Sequence, residues 1–442
     1  MIGCNKKTNN SIFIGGQVVK PSSSFVSLYY GNRILDTFLL QNNTRFYRKY
    51  DSLPPGIYKM EHIPEYTSLL LEPGDSIWTR INASDFHESL VFSGRGASKN
   101  NFLSDVRLQL DIENDFLASQ YATDPNIFKQ TVDSLLVEKK LSWIKMDSLN
   151  KLSPFAQKIT QAAYVYSYAS IRERYALLRG SQWDSIQKKN FSTYRRFLNY
   201  GENDLAFFDP YITYLMNYLT SEALRNNETL VSARENTDFN FRRLQVINDK
   251  IEGTLVRNNL ARAVAYEELL TFENHQYHDK FLEYYFDVNT SPSYLKEIVD
   301  LHADIKMMDK GKKLPEMVLQ DAALKLVSST SLKNKKPTVL YFWSQTQMNH
   351  FKETIEKVQL LQQKHPNYQF VGISIQPLNP IALEVYKMME LQMENQYGLV
   401  DFGTASKKWV ITLLNKTIVL DRNGDIKNGF ANLMAPDFEN EL

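Results

Sequence analysis

Cysteine is almost missing from this chain of 442 residues, which has only one, Cys4. No intramolecular disulfide can form, and no cysteine-based zinc site can be assembled. Long apolar runs are missing too: none approaches the ~18 residues that a membrane-crossing helix requires. Neither sign of charge is in excess. Against 51 Lys and Arg stand 50 Asp and Glu, and the resulting net charge of +1 exerts no long-range pull on phosphate backbones or anionic lipid. Nucleic acid is therefore not expected as a partner. No Gly-x-Ser-x-Gly elbow marks a serine hydrolase. "SGRGASKNN" (93–101) has a Gly-x-Gly and a lysine but not the Walker spacing, and it reads as a linker in which Ser98 or Asn100 caps the next helix. "ENHQYHD" sets His275 and His278 three apart, flanked by Glu273 and Asp279. A metal site needs three or four ligands and no further pair accompanies these, so neither a metal nor a cofactor is expected.

What is present divides by period. Hydrophobic residues at 43% and charged residues at 23% are globular proportions, and the length suits several domains. From residue 12 to 98, short β-type runs such as "SIFIGGQVV", "GIYKMEHI" and "LEPGDSIWTRI" alternate with turn residues, which predicts an antiparallel β-sandwich-like domain. From 99 to 312 the apolar residues recur three and four apart, as in "FAQKITQAAYVYSYASIRERYALL", with Pro and Gly confined to breaks; this predicts an all-α middle. "YRRFLNY", with Arg195 and Arg196, reads as one helix face within it. From 313 to 442, "KPTVLYFW" and "YQFVGISI" read as buried parallel strands joined by the helix "NHFKETIEKVQLLQQKHP". A second helix is expected around "PIALEVYKMMELQ", and then a hairpin, "KTIVLDRNGDI", closed at Asn423-Gly424. The fold class is thus α+β and multidomain, with residues 1–11 as a tether.

The order "VLYFW", helix, "VGISI", "IVLDRNGDI" resembles the thioredoxin-like domain of bacterial envelope thiol-disulfide oxidoreductases, in the branch grouped with alkyl hydroperoxide reductase and thiol-specific antioxidant proteins. The resemblance covers Leu314 to Phe430. It implies a Cys-x-x-Cys at the start of the helix, four residues past the Phe-Trp that ends the strand. In "YFWSQTQMNHF" those two positions hold Gln347 and His350, and neither side chain can form the mixed disulfide that exchange chemistry requires. The resemblance also implies a proline facing the site just before the hairpin. That position falls on Asn415, and no proline lies between Pro380 and Pro436. The expected binding surface is Trp343, Gln347, Met348, His350 and Asn415. His350 could accept a ligand's hydrogen bond, or could fill the second cysteine's space with a hydrogen bond of its own while Thr346 or Gln347 caps the helix.

Ile-Gly-Cys in "MIGCNKKTNN" resembles the end of a bacterial lipoprotein signal, which implies lipidation at Cys4 and a place in the cell envelope held by the lipid anchor alone. A free thiol in a frayed terminus is the other reading. The functional expectation is a redox-inactive thioredoxin-like envelope lipoprotein that binds or scaffolds an envelope protein or peptide. The rival expectation is a thiol-disulfide or peroxide-linked oxidoreductase.

Overall fold

The computed structural model describes residues 10–42, 44–63, 65–271, 275–332, 336–345, 347–379, 383–384, 387–388 and 395–442. Cys4, Glu273, Thr346 and most of the segment 380–392 lie outside the described residues. The chain divides into two compact units, Met1–Tyr294 and Leu295–Leu442.

The first unit begins with eight strands: β1 (Ile12–Val19), β2 (Phe25–Tyr30), β3 (Arg33–Leu39), β4 (Arg45–Tyr50), β5 (Gly56–His62), β6 (Glu65–Leu71), β7 (Ser76–Asn82) and β8 (Val91–Arg95). They form two four-stranded sheets, ordered β4-β1-β7-β8 and β3-β2-β5-β6. Inward residues of both sheets, among them Ile14, Val18, Leu28, Met60 and Ile77, share one core. The purely antiparallel expectation needs one correction, because β1 and β7 pair in parallel, Phe13 opposite Ser76 through Val19 opposite Asn82. Between them the chain builds the whole second sheet, and so long an excursion is what a parallel pair demands.

Helices follow: α1 (Phe86–Ser89), α2 (Ala97–Gln120), α3 (Pro125–Asn150), α4 (Pro154–Arg179), α5 (Ser185–Phe191), α6 (Asp209–Ala223), α7 (Leu230–Arg234), α8 (Phe239–Lys250), α9 (Thr254–Thr271), α10 (His275–Val288) and α11 (Pro292–Met307). The prolines that break the pattern open helices. Asp124 and Ser153 cap α3 and α4, each with a proline in the first turn, where the missing N–H removes no hydrogen bond. "YRRFLNY" is not an α-helical face. Ser192–Phe197 is a 3-10 turn, and its Arg195 binds the fully buried Glu173 at 2.6 Å.

The "SGRGASKNN" segment docks α2 onto the sandwich. Gly96, not Ser98 or Asn100, holds the N-cap position; its φ of 92° lies in the left-handed region, and an added Cβ would stand 2.4 Å from Asp75 Oδ1. The Asn100 side chain instead pairs with β6, accepting from Leu70 N–H at 2.7 Å and donating to Leu70 O at 3.0 Å. Lys99, buried, reaches both Glu72 and Asp75 at 2.7 Å.

All of α11 beyond Tyr294 belongs to the second unit, which among the described residues also holds α12 (Met348–Lys364), α13 (Phe402–Lys408) and seven strands: β9 (Val318–Gln320), β10 (Leu326–Ser328), β11 (Thr338–Trp343), β12 (Gln369–Ser374), β13 (Gln396–Leu399), β14 (Lys416–Leu420) and β15 (Ile426–Asn432). Their order is β10-β9-β13-β12-β11-β14-β15. The expected parallel pair is β11/β12, with α12 between its strands, and the expected hairpin is β14/β15. The hairpin loop is wider than a two-residue turn: Asp421 Oδ1 accepts from the N–H groups of Asn423 and Asp425, and Gly424 sits at φ 76°. All six residues of β11 are buried. Phe351, Ile355, Val358 and Leu361, on one face of α12, join Val339, Tyr341 and Trp343 in a core. No helix among the described residues is long and apolar enough to cross a membrane.

Lys99→Ala strands the buried Asp75 and the half-buried Glu72. Urea unfolding of the full chain should show the N-terminal unit weakened by about 3 to 5 kcal/mol. A loss below about 1 kcal/mol would show that water reaches Asp75 as well as Glu72.

Candidate functional site

The site lies where β11 ends and α12 begins. Trp343 closes the strand with its ring stacked on Phe351, centroids 4.1 Å apart and planes at 28°. It is 0% exposed, so it braces the site from beneath; it is not the surface residue that the sequence reading expected. The chain then leaves the sheet through Ser344, and Gln347 N–H donates back to Ser344 O at 3.3 Å. Gln347 is exposed and holds the N-cap position, but its side chain makes no capping hydrogen bond. Met348 is the first residue of α12.

His350 and Asn415, 65 positions apart, meet. His350 Nε2 lies 2.6 Å from Asn415 Oδ1. With the amide oxygen accepting, Nε2 carries the imidazole proton and Nδ1 keeps a lone pair. That Nδ1 is buried and has no hydrogen-bond partner among the described residues. The Asn415 carbonyl accepts from Leu433 N–H at 3.1 Å, which anchors the asparagine to the chain beyond β15. Of the two readings of His350, this geometry matches the one in which it fills space with a hydrogen bond of its own.

A set of amides next to these residues was not anticipated. Gln345 Nε2 donates to Ser374 Oγ at 3.2 Å and to Pro377 O at 2.8 Å, while its Oε1 accepts from Asn379 Nδ2 at 2.8 Å. Gln376 Oε1 accepts from Gln345 N–H at 3.1 Å, and Gln376 Nε2 donates to Ser344 Oγ at 2.9 Å. The loop after β11 is thereby laced to the loop after β12. A signal did exist, since each glutamine stands two residues past the end of a buried strand and parallel neighbours emerge side by side.

Lys416, next to Asn415, was also missed. Strand alternation carries it to the opposite face of β14. There its Nζ donates to the carbonyls of Trp409 and Val410, the latter at 2.8 Å, and lies 4.3 Å from the Phe430 ring centroid. Burial without an anionic partner pushes its pKa down to about 7. No cluster of three or more His, Cys, Asp or Glu able to hold a metal occurs among the described residues, and His278 is buried in α10. The arrangement can donate and accept hydrogen bonds along a loop edge, and it holds no thiol.

If Asn415 accepts as described, nitrogen NMR of His350 should show the Nε2–H tautomer, and Asn415→Ala should blur it into a mixture; an Nδ1–H imidazole would overturn the assignment. Lys416 sets a pH dependence. Its folded pKa lies below the ordinary 10.5, so the unfolded chain binds the extra proton between pH 7 and 10, and the C-terminal unit gains stability as pH rises through that window. Lys416→Met should flatten the rise in denaturation series, and an unchanged slope would exonerate this lysine.

No protein-family model matches the chain, and no curated protein matches it in sequence. Solved structures do. One, from Bacteroides vulgatus and assigned as a thiol-disulfide oxidoreductase, is 16% identical and covers 31% of this chain and 99% of its own, with a TM-score of 0.27. The thioredoxin domain of a thiol-disulfide oxidoreductase from the same organism is 20% identical over 27% of this chain and 85% of its own, with a TM-score of 0.24. A Chlorobium tepidum structure assigned as the thiol:disulfide interchange protein DsbE is 19% identical over 27% and 82%, with a TM-score of 0.23. These neighbours are thioredoxin-like, and this chain has one cysteine to set beside them.

Proposed function

We propose that this protein is a redox-inactive, thioredoxin-like member of the cell envelope that binds or scaffolds a protein or extended peptide. The observation that carries the reading is the His350–Asn415 hydrogen bond. It joins the position where the resemblance places a resolving thiol to the position where it places a proline. A partner would find the exposed Gln347 at the helix entrance, beside a loop that the Gln345 and Asn379 amides hold in place. The envelope assignment rests on the resemblance of Ile-Gly-Cys4 to a lipoprotein signal.

Disulfide exchange separates this reading from the oxidoreductase alternative. In an insulin-reduction assay the wild type should show no turnover above a Cys4→Ser variant, and clear turnover would sink the proposal. The triple variant Gln347→Cys, His350→Cys, Asn415→Pro should gain measurable activity, because β11 and α12 already hold the two positions one helical turn apart. A folded but inert triple variant would count against the placement of the two thiol positions.

A further inference from the structure

The outer face of the sheet β4-β1-β7-β8 carries charge of one sign. Strand alternation sends Ile12, Ile14, Phe46, Ile77 and Phe92 into the sandwich core and the residues between them outward. Strand pairing sets the outward residues in rows. In the first row Lys49 and Arg95 stand on the two outer strands with Phe13 between them; in the second Tyr47 and Trp78 flank Gly15; in the third Arg45 and Arg80 flank Gln17. The remaining outward positions, Ser76, Ser93 and Val91, are uncharged. Among the described residues no carboxylate stands in these rows. Asp51, just past the end of β4, lies 4.0 Å from Lys49, and Asp85 and Glu88 follow β7 beyond the third row. Arg80 and Arg95 are exposed and form no ion pair among the described residues. The chain's net charge of +1 hides this face, because its cations are balanced elsewhere.

The three rings sit inside the frame of cations. Trp78 lies across Gly15, where an added Cβ would stand 2.9 Å from its Cε3 and Cζ3, so only glycine lets the indole rest on the neighbouring strand. Phe13 and Tyr47 are stacked, centroids 6.2 Å apart and planes at 17°, and Tyr47 is 59% exposed. The Arg45 guanidinium reaches over β1 to 5.8 Å from the Trp78 ring centroid. With strands ~4.8 Å apart and ~3.3 Å per residue along each, Lys49, Arg45 and Arg95 mark out about 14 by 13 Å. That is wider than one phosphate or carboxylate, so a single small anion would leave most of the cations unanswered.

We infer that this face docks on an anionic lipid surface. Trp and Tyr rings settle at the headgroup level of a bilayer, and cations spread around them meet the headgroup phosphates. Single-stranded nucleic acid also pairs rings with cations, but its bases need bare ring faces. Here Arg45 lies over Trp78, and Phe13 and Tyr47 are stacked on each other. The contact needs no lipid on Cys4, and it stands apart from the reading of the thioredoxin-like site.

Vesicle flotation tests this, with the full chain carrying Cys4→Ser so that no acyl group contributes. One set of vesicles is of equal parts phosphatidylglycerol and phosphatidylcholine, the other of phosphatidylcholine alone. Binding to the anionic set is expected, about tenfold or more above the neutral set and falling as salt is added. Arg80→Gln with Arg95→Gln should lower it about tenfold with the melting curve in place, since neither side chain has an ionic partner. Lys140→Gln with Lys145→Gln removes the same charge from the exposed side of α3 and should leave binding unchanged. Tyr47→Ser keeps every cation and should still weaken binding. No preference for the anionic vesicles, an equal loss in the two double variants, unaltered binding in Tyr47→Ser, or an oligothymidylate held more tightly than the vesicles would each overturn the inference.

Discussion

Strand β11 is hydrogen-bonded along both edges and buried on both faces, and the C-terminal unit is organised by that double confinement. A strand so placed cannot shift by one residue without exchanging every side chain between faces. Its last ring, Trp343, is pressed against Phe351 and so fixes where α12 starts. Its pairing with β12 brings two loops out side by side, and its pairing with β14 aligns the segment that carries Asn415. Everything polar in the candidate site hangs on backbone that this strand has positioned.

Electrostatics divide the molecule into cations with partners and cations without. Lys99, Arg195 and Arg242 hold buried or half-buried carboxylates, the arrangement that makes a charge tolerable away from water. Lys416 takes the other route: it has only carbonyls and a ring for company, and its ammonium form is disfavoured. Arg107 and Arg174 border an open cleft among β6, α2, α4 and α6, with no ion pair among the described residues. A net charge of +1 conceals these three situations.

Much of the secondary structure is legible in the chain because period and punctuation agree. "KPTVLYFW", the α12 stripe and the Asp-Arg-Asn-Gly turn each carry their own local signal. The parallel pairing of β1 with β7 is not legible, since partners some 60 residues apart leave no mark on each other's local pattern. His350 and Asn415 were picked out singly through the resemblance, but their hydrogen bond is a tertiary fact. Gln345 and Gln376 escape notice because a polar residue after a strand is commonplace, and only the parallel exit of β11 and β12 makes the two meet. Lys416 reads as the polar start of a strand, whereas folding encloses it. Trp343 borders the site in sequence and reads as surface, yet β11 is enclosed on both faces and its last ring stacks on Phe351 in the core.

The His350–Asn415 bond also bears on how such a chain can diverge. Replacing His350 alone by cysteine removes Asn415's partner and supplies a single sulfur with nothing to resolve a mixed disulfide. Replacing Asn415 alone by proline leaves the imidazole proton without its acceptor. Each step loses a half-buried hydrogen bond, about 1 kcal/mol, before any chemistry is gained. A change that begins at either member of the pair is therefore weakened before it gains any thiol chemistry, whereas Gln347, whose side chain makes no capping bond, can change without disturbing the pair.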